Sequence, residues 1–186
     1  MGSKTSFRFL TRSSLALVIG LVGCRTPMPD AGPPATADAS GTARAFYQAV
    51  RHERIEGLPT EKQMDRLKPF LSANLVSGFA KARMEQKEFM AKNPGEKPPW
   101  IEGDLFGSLF EGPTSWSVGT AAVKGASAEV PVKLAYRDDT KPVEWTDRIR
   151  LVQTPKGWKV EDIRMGGEWG FKAGGNSLSQ TLSAKP

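Results

Sequence analysis

The chain has 186 residues, 39% hydrophobic, 25% charged and 9% aromatic, with 14 Pro, 19 Gly, one Cys and one His. That composition fits one globular domain with non-globular segments and excludes collagen, coiled coil and a disulfide scaffold. A single cysteine makes no intramolecular disulfide, and a single histidine builds no His-based cage without carboxylates, so no metal and no cofactor is expected.

Lys4, Arg8 and Arg12 make the amino terminus basic, and residues 15–22 form an apolar run ending at Gly23 and Cys24. Spanning a hydrocarbon core of about 30 Å takes roughly 20 apolar residues, so residues 1–23 read as a secretory signal peptide rather than a transmembrane helix. Leu21, Val22, Gly23 and Cys24 resemble the bacterial lipobox at all four positions. There a lipoprotein signal peptidase needs a small residue before a cysteine whose thiol carries diacylglycerol. The resemblance implies that Cys24 becomes a lipidated amino terminus with the membrane as its partner. The competing reading is an incidental cysteine after an ordinary cleavage site. Each buried methylene contributes about 0.8 kcal/mol, so two or three acyl chains hold a protein at a bilayer. Arg25 stands where an acidic residue resembles an inner-membrane retention signal, which implies the outer membrane, facing the periplasm.

Removing residues 1–23 takes away three positive charges and no negative ones, so the net charge falls from +6 to +3 over the remaining 163 residues. A nucleic-acid partner needs a more concentrated patch, and none is expected. Residues 24–40 contain Pro27, Pro29, Pro33 and Pro34 among small residues and read as a tether. Its sixteen residues from Arg25 reach at most about 50 Å.

The domain is expected over residues 41–171. Thr42 reads as an N-cap, with Ala43, Phe46, Tyr47 and Val50 on one helical stripe and Gly57 as the stop. His52 falls opposite that stripe, so it is expected in solvent and is a weak candidate for a general base. Thr60 and Gln63 form a capping box ahead of Met64 and Leu67, and Pro69 interrupts or kinks the chain after them. Leu71, Leu75, Gly78, Phe79, Ala82, Gln86, Phe89 and Met90 then share one arc, ending at Asn93, Pro94 and Gly95. Asp104 is positioned to cap a short turn through Leu105, Phe106, Leu109 and Phe110.

Beyond Trp116 the hydrophobic period changes to two. Four strands are readable, at 116–124, 128–137, 143–153 and 158–165, joined by hairpin-type links. Counting back from the third link sets Gln153 opposite Trp158, Leu151 opposite Val160, Ile149 opposite Asp162 and Asp147 opposite Arg164. Counting from the second sets Leu134 opposite Trp145 and Val132 opposite Asp147. One face then collects Trp116, Val118, Val130, Val132, Leu134, Tyr136, Trp145, Ile149, Leu151, Trp158 and Val160. The helical first half must cover it. The fold class is therefore α+β, amino-terminal helices packed on a curved antiparallel sheet of four or more strands.

Asp147, Asp162 and Arg164 fall at the far end of the apolar face. One account is a cross-strand ion pair between Asp147 and Arg164, with a bulge turning Ile163 and Met165 inward. The other is a half-open pocket in which the two carboxylates, Arg164 and Tyr136 or Tyr47 bind a polar ligand or move a proton. Residues 172–186 read as a polar tail with a short helix near residues 177–183.

Helices followed by a meander closing in Gly157, Trp158, Lys159, Val160, Glu161, Asp162 and Ile163 resemble the nuclear transport factor 2-like fold, an α+β cone. With Gly103, Asp104, Leu105 and Phe106 before the sheet, and Gly166, Gly167, Glu168 and Trp169 after it, the chain looks like a family of bacterial envelope lipoproteins with no assigned function. Members of the wider superfamily are isomerases or dehydratases with a His or Asp pair inside the cone, or bind ligands or proteins, so fold does not decide function. The leading expectation is a non-catalytic lipoprotein that binds an envelope protein or small ligand. The alternatives are an immunity-type inhibitor of a secreted periplasmic toxin, using an aromatic patch at Trp100, Phe106 and Phe110, and a small enzyme with Asp147 or Asp162 as base.

Overall fold

The computed structural model describes residues 35–137, 142–168 and 177–184. The signal peptide, Leu21, Val22, Gly23 and Cys24, the tether up to residue 34, the link at 138–141, and Trp169 to Phe171 lie outside the described residues.

The first helix, α1 (Ala35–Glu53), buries Ala39, Ala43, Phe46, Tyr47 and Val50, the expected stripe carried one turn further back. Thr42 therefore lies inside the helix instead of capping it, and the last six positions assigned to the tether are helical. Ala39 explains the extension, because it is fully buried and gains from continuing the stripe onto the sheet. After α1 the chain turns through Arg54 and Gly57, both at positive φ. The short α2 (Glu61–Leu67) starts at the capping box of Thr60 and Gln63, and α3 (Ala73–Lys92) starts at Ser72, whose side chain accepts from the Leu75 N–H. Of the arc expected on α3, Leu75, Phe79 and Ala82 are buried, whereas Met90 is 46% exposed.

The sheet is antiparallel and open, with five strands: β1 (Ser115–Val118), β2 (Ala122–Lys124), β3 (Ser127–Tyr136), β4 (Val143–Thr154) and β5 (Gly157–Arg164). Strands β1 and β2 both pair with β3, where the alternation alone suggests one strand. The cause is Pro131 in β3, which offers no N–H to that side. Val118 pairs with Val132 and Ala122 with Glu129, so three residues oppose two and the ladder breaks. The Ala121 N–H freed by the break is taken by the Ser40 hydroxyl of α1 at 2.8 Å.

Register between β3 and β4 follows the expectation throughout, with Leu134 opposite Trp145 and Val132 opposite Asp147. Between β4 and β5 it holds from Gln153 and Trp158 to Leu151 and Val160, then shifts. Glu161 is the extra residue of a bulge, so Ile149 faces Ile163, Arg150 faces Asp162, and Arg148 faces Arg164. Ile163 turns inward as expected, but the Asp147–Arg164 pair does not form.

The free edge of β5 is covered at two places. Phe70 and Ser72 exchange backbone hydrogen bonds with Val160, and Ser177 bridges to Arg164. Behind Ser177 comes α4 (Leu178–Ser183), whose Leu178, Thr181 and Leu182 are buried. Residues 178–183 are thus part of the core, contrary to the expectation of a polar tail. Leucines four apart bury one helical face despite the polar residues between them.

Candidate functional site

Strand β4 alternates Trp145, Asp147 and Ile149 onto the apolar face, so its pleat carries a carboxylate into the interior. Asp147 is 1% exposed, and every acceptor position on it is used. Oδ2 accepts from the Ser108 N–H at 3.0 Å and the Trp145 Nε1–H at 3.1 Å, while Oδ1 accepts from the Gly166 N–H at 2.8 Å and from the Ser108 hydroxyl. The Ser108 hydroxyl in turn accepts from the Gly167 N–H at 3.0 Å. Four neutral donors on one buried carboxylate replace the water it gave up. Gly166 has to be glycine, because a Cβ there would sit 2.1 Å from the Thr146 carbonyl oxygen. The loop at residues 103–110 and the chain leaving β5 are joined by this one side chain.

Asp162 is elsewhere. The bulge turns it to the other face, where it accepts from its neighbour Ile163 N–H at 2.8 Å and from Ser179 through N–H at 3.0 Å and hydroxyl at 2.7 Å. Arg164 is exposed beyond it. Tyr136 is half-buried at the end of β3, opposite Val143. The structure therefore does not gather Asp147, Asp162, Arg164, Tyr136 and Tyr47 into one pocket.

Tyr47 belongs to a cluster that the pattern of residues left unseen. Its ring meets Trp116 edge-on at 5.1 Å, and the Arg51 guanidinium lies 5.1 Å over it. Arg51 Nη2 reaches Asp104 Oδ1 at 2.9 Å and Oδ2 at 2.8 Å, and Asp104 also accepts from the Phe106 N–H at 2.8 Å. Asp104 caps its turn as expected and is also the ion-pair partner of α1. The signal available was the Arg51 position, one turn after Tyr47 on the buried stripe. The Tyr47 hydroxyl has no hydrogen-bond partner among the described residues. Burial pushes its phenol pKa well above the ordinary value, the nearby Arg51 opposing that and the Asp104 and Asp147 charges adding to it. For Arg51, burial alone would lower the guanidinium, but Asp104 holds it above its ordinary value.

The aromatic patch is also dispersed. Phe106 is fully buried between Phe46 and Phe79, at ring distances of 6.0 and 5.8 Å. Trp100 is half-buried and donates Nε1–H to the Thr181 carbonyl at 3.0 Å. Phe110 is 37% exposed and shares with Trp100 a cleft of about 300 Å³ that Leu105, Ser108, Met165 and Thr181 also line. His52 is solvent-facing as expected, its side chain 79% exposed, with Nδ1 3.5 Å from Glu53 Oε1.

Among the described residues no group of three His, Cys, Asp or Glu could hold a metal ion, and no helix is long and apolar enough to cross a membrane. Chemically, the arrangement offers two carboxylates occupied by neutral donors, one ion pair against a tyrosine, and a mostly apolar cleft. No family model matches the chain, and no curated protein or solved structure matches it either.

Proposed function

We propose that the chain is a lipid-anchored binding lipoprotein of the bacterial envelope. Its nuclear transport factor 2-like cone, held at the outer membrane by acyl chains on Cys24, engages a protein or small ligand of the periplasm without turnover. The observation that carries the reading is the box Leu21, Val22, Gly23, Cys24 directly after a basic and apolar leader. Helices packed on an antiparallel sheet that ends in Gly157 to Ile163 support the cone. The absence of turnover is supported by Asp147 and Asp162: each spends its oxygens on backbone and hydroxyl donors, leaving neither placed to take a proton from a ligand.

Metabolic labelling with a fatty-acid probe tests the anchor. Wild type should take the label and Cys24→Ser should not; equal labelling of the two chains defeats the reading. Crosslinking of the lipidated protein in its native envelope then identifies what it binds. Turnover of a small metabolite that Asp147→Asn abolishes without loss of fold would make it an enzyme instead.

A further inference from the structure

The solvent face of the sheet carries an arrangement that the protein itself leaves incomplete. The bulge at Glu161 sets Arg164 directly opposite Arg148, with Arg150 two residues along the same face of β4. Like charges at directly paired positions of a sheet repel, and a carboxylate at any of the three would relieve them. Arg148 has such a partner in Glu129, 3.0 Å away and largely in solvent. Arg150 and Arg164 have none among the described residues. Two acids lie opposite Arg150 by register: Asp162 on β5, whose oxygens are occupied by Ile163 and Ser179, and Glu129 on β3, whose carboxylate reaches Arg148 instead. Both arginines open onto one surface groove of about 670 Å³, which Asp162, Glu168, Ser177 and Gln180 also line.

Two guanidiniums without an ion-pair partner among the described residues, lining one groove, are a donor set for a tetrahedral oxyanion. Each planar fork presents parallel N–H groups that match two phosphate oxygens, and a dianion between them cancels their repulsion. We propose that Arg150 and Arg164 bind a phosphate group, carried by a lipid headgroup or by a free phosphate compound. Glu168 and Asp162, which share the groove, oppose the anion and weaken the site. The site stands on the sheet alone and does not depend on Cys24 being acylated.

The test compares the full chain with the Arg150→Gln/Arg164→Gln variant at constant ionic strength. Both side chains are exposed, so the core is untouched. Inorganic pyrophosphate probes for a free phosphate compound, and vesicles of phosphatidylglycerol in phosphatidylcholine probe for a headgroup. The basic leader is common to both chains, so only the difference between them reads the arginines. We expect saturable binding to at least one probe, weakened about tenfold or more in the variant, and tightened by Glu168→Gln. The same ligand should raise the thermal midpoint of wild type and leave the variant unmoved. Response to pyrophosphate assigns a free phosphate compound, and response to vesicles alone assigns a headgroup. Equal binding by the two chains, or no saturable binding to either probe, overturns the proposal.

Discussion

Ser108 gives Asp147 both its backbone N–H and its hydroxyl, across 39 positions of sequence. With Gly166 and Trp145 on the same carboxylate, the contact fastens the loop before the sheet to the chain that leaves it. No cation among the described residues takes part. The charge is retained in the interior because each donor it satisfies would otherwise be buried without a partner.

Asp147→Asn should therefore be costly although it is nearly isosteric. The amide keeps one acceptor and turns two donors toward N–H and O–H groups that need acceptors themselves. A loss of about 3 kcal/mol is expected in urea unfolding. Ser108→Ala should lose less, about 1 to 2 kcal/mol, because Asp147 keeps three donors. An Asn variant within about 0.5 kcal/mol of wild type would mean that water already shares this site.

Tyr47 makes the opposite case, a buried hydroxyl without a partner. Tyr47→Phe removes an unsatisfied group, so at pH 8 it should be neutral or stabilising by up to about 1 kcal/mol. At alkaline pH the difference should widen. Burial raises the folded phenol pKa above the ordinary 10.0, so the neutral form is favoured in the fold. Its contribution is fully present below pH 10 and is lost as pH rises beyond it, because the unfolded chain ionises first. At pH 11 wild type should have lost about 1.4 kcal/mol that the Phe variant retains. Urea midpoints for both chains at pH 8 and pH 11 read this directly, and an unchanged difference would show that the phenol titrates normally.

How much of the fold was legible depended on how local the cause was. The β3–β4 register followed from alternation and turn counting, because the pleat of both strands runs unbroken from Ser127 to Tyr136. The same counting failed past Val160, where one extra residue at Glu161 moved Asp162 to the opposite face. Asp147 stood out as a charge on an apolar face, but its partner Ser108 sits in a loop without periodicity and could not be paired with it in advance. Pro131 carried a signal for the break between β1 and β2 that the single strand expected at 116–124 did not use, since a proline inside a paired strand needs a gap on one side. Leu178 and Leu182 behind Ser177 carried a helix signal, while their burial came only from the sheet edge beside them.

Gly57 and Gly125 separate backbone strain from crowding. Both have positive φ, 63° and 58°. A Cβ on Gly57 would lie 2.3 Å from the Trp100 carbonyl oxygen, whereas one on Gly125 meets nothing within 4 Å. Around Gly57 the backbone is also fixed by its N–H to the Gly103 carbonyl at 2.8 Å and by the Leu58 N–H to the Trp100 carbonyl at 2.9 Å. Gly125→Ala should cost about 1 kcal/mol and Gly57→Ala more than about 3 kcal/mol, or fail to fold. Equal costs in denaturant unfolding would mean that the 97–103 loop moves aside freely.

The last helix should matter more than its composition suggests. Leu182 is 2% exposed, so Leu182→Ala should cost about 2 to 4 kcal/mol. Deleting residues 177–186 goes further. It removes Leu178 and Leu182 from the core, the Ser179 donors from Asp162, the carbonyl that accepts from Trp100, and the bridge to Arg164. The end of β5 is then an uncovered edge, which pairs readily with another chain. The deletion should lower the thermal midpoint sharply and add concentration-dependent association in light scattering, while Ser179→Ala stays monomeric and loses about 1 to 2 kcal/mol. A deleted chain that melts with wild type would show α4 to be an appendage, and one that melts early without associating would show that Phe70 and Ser72 alone protect the edge.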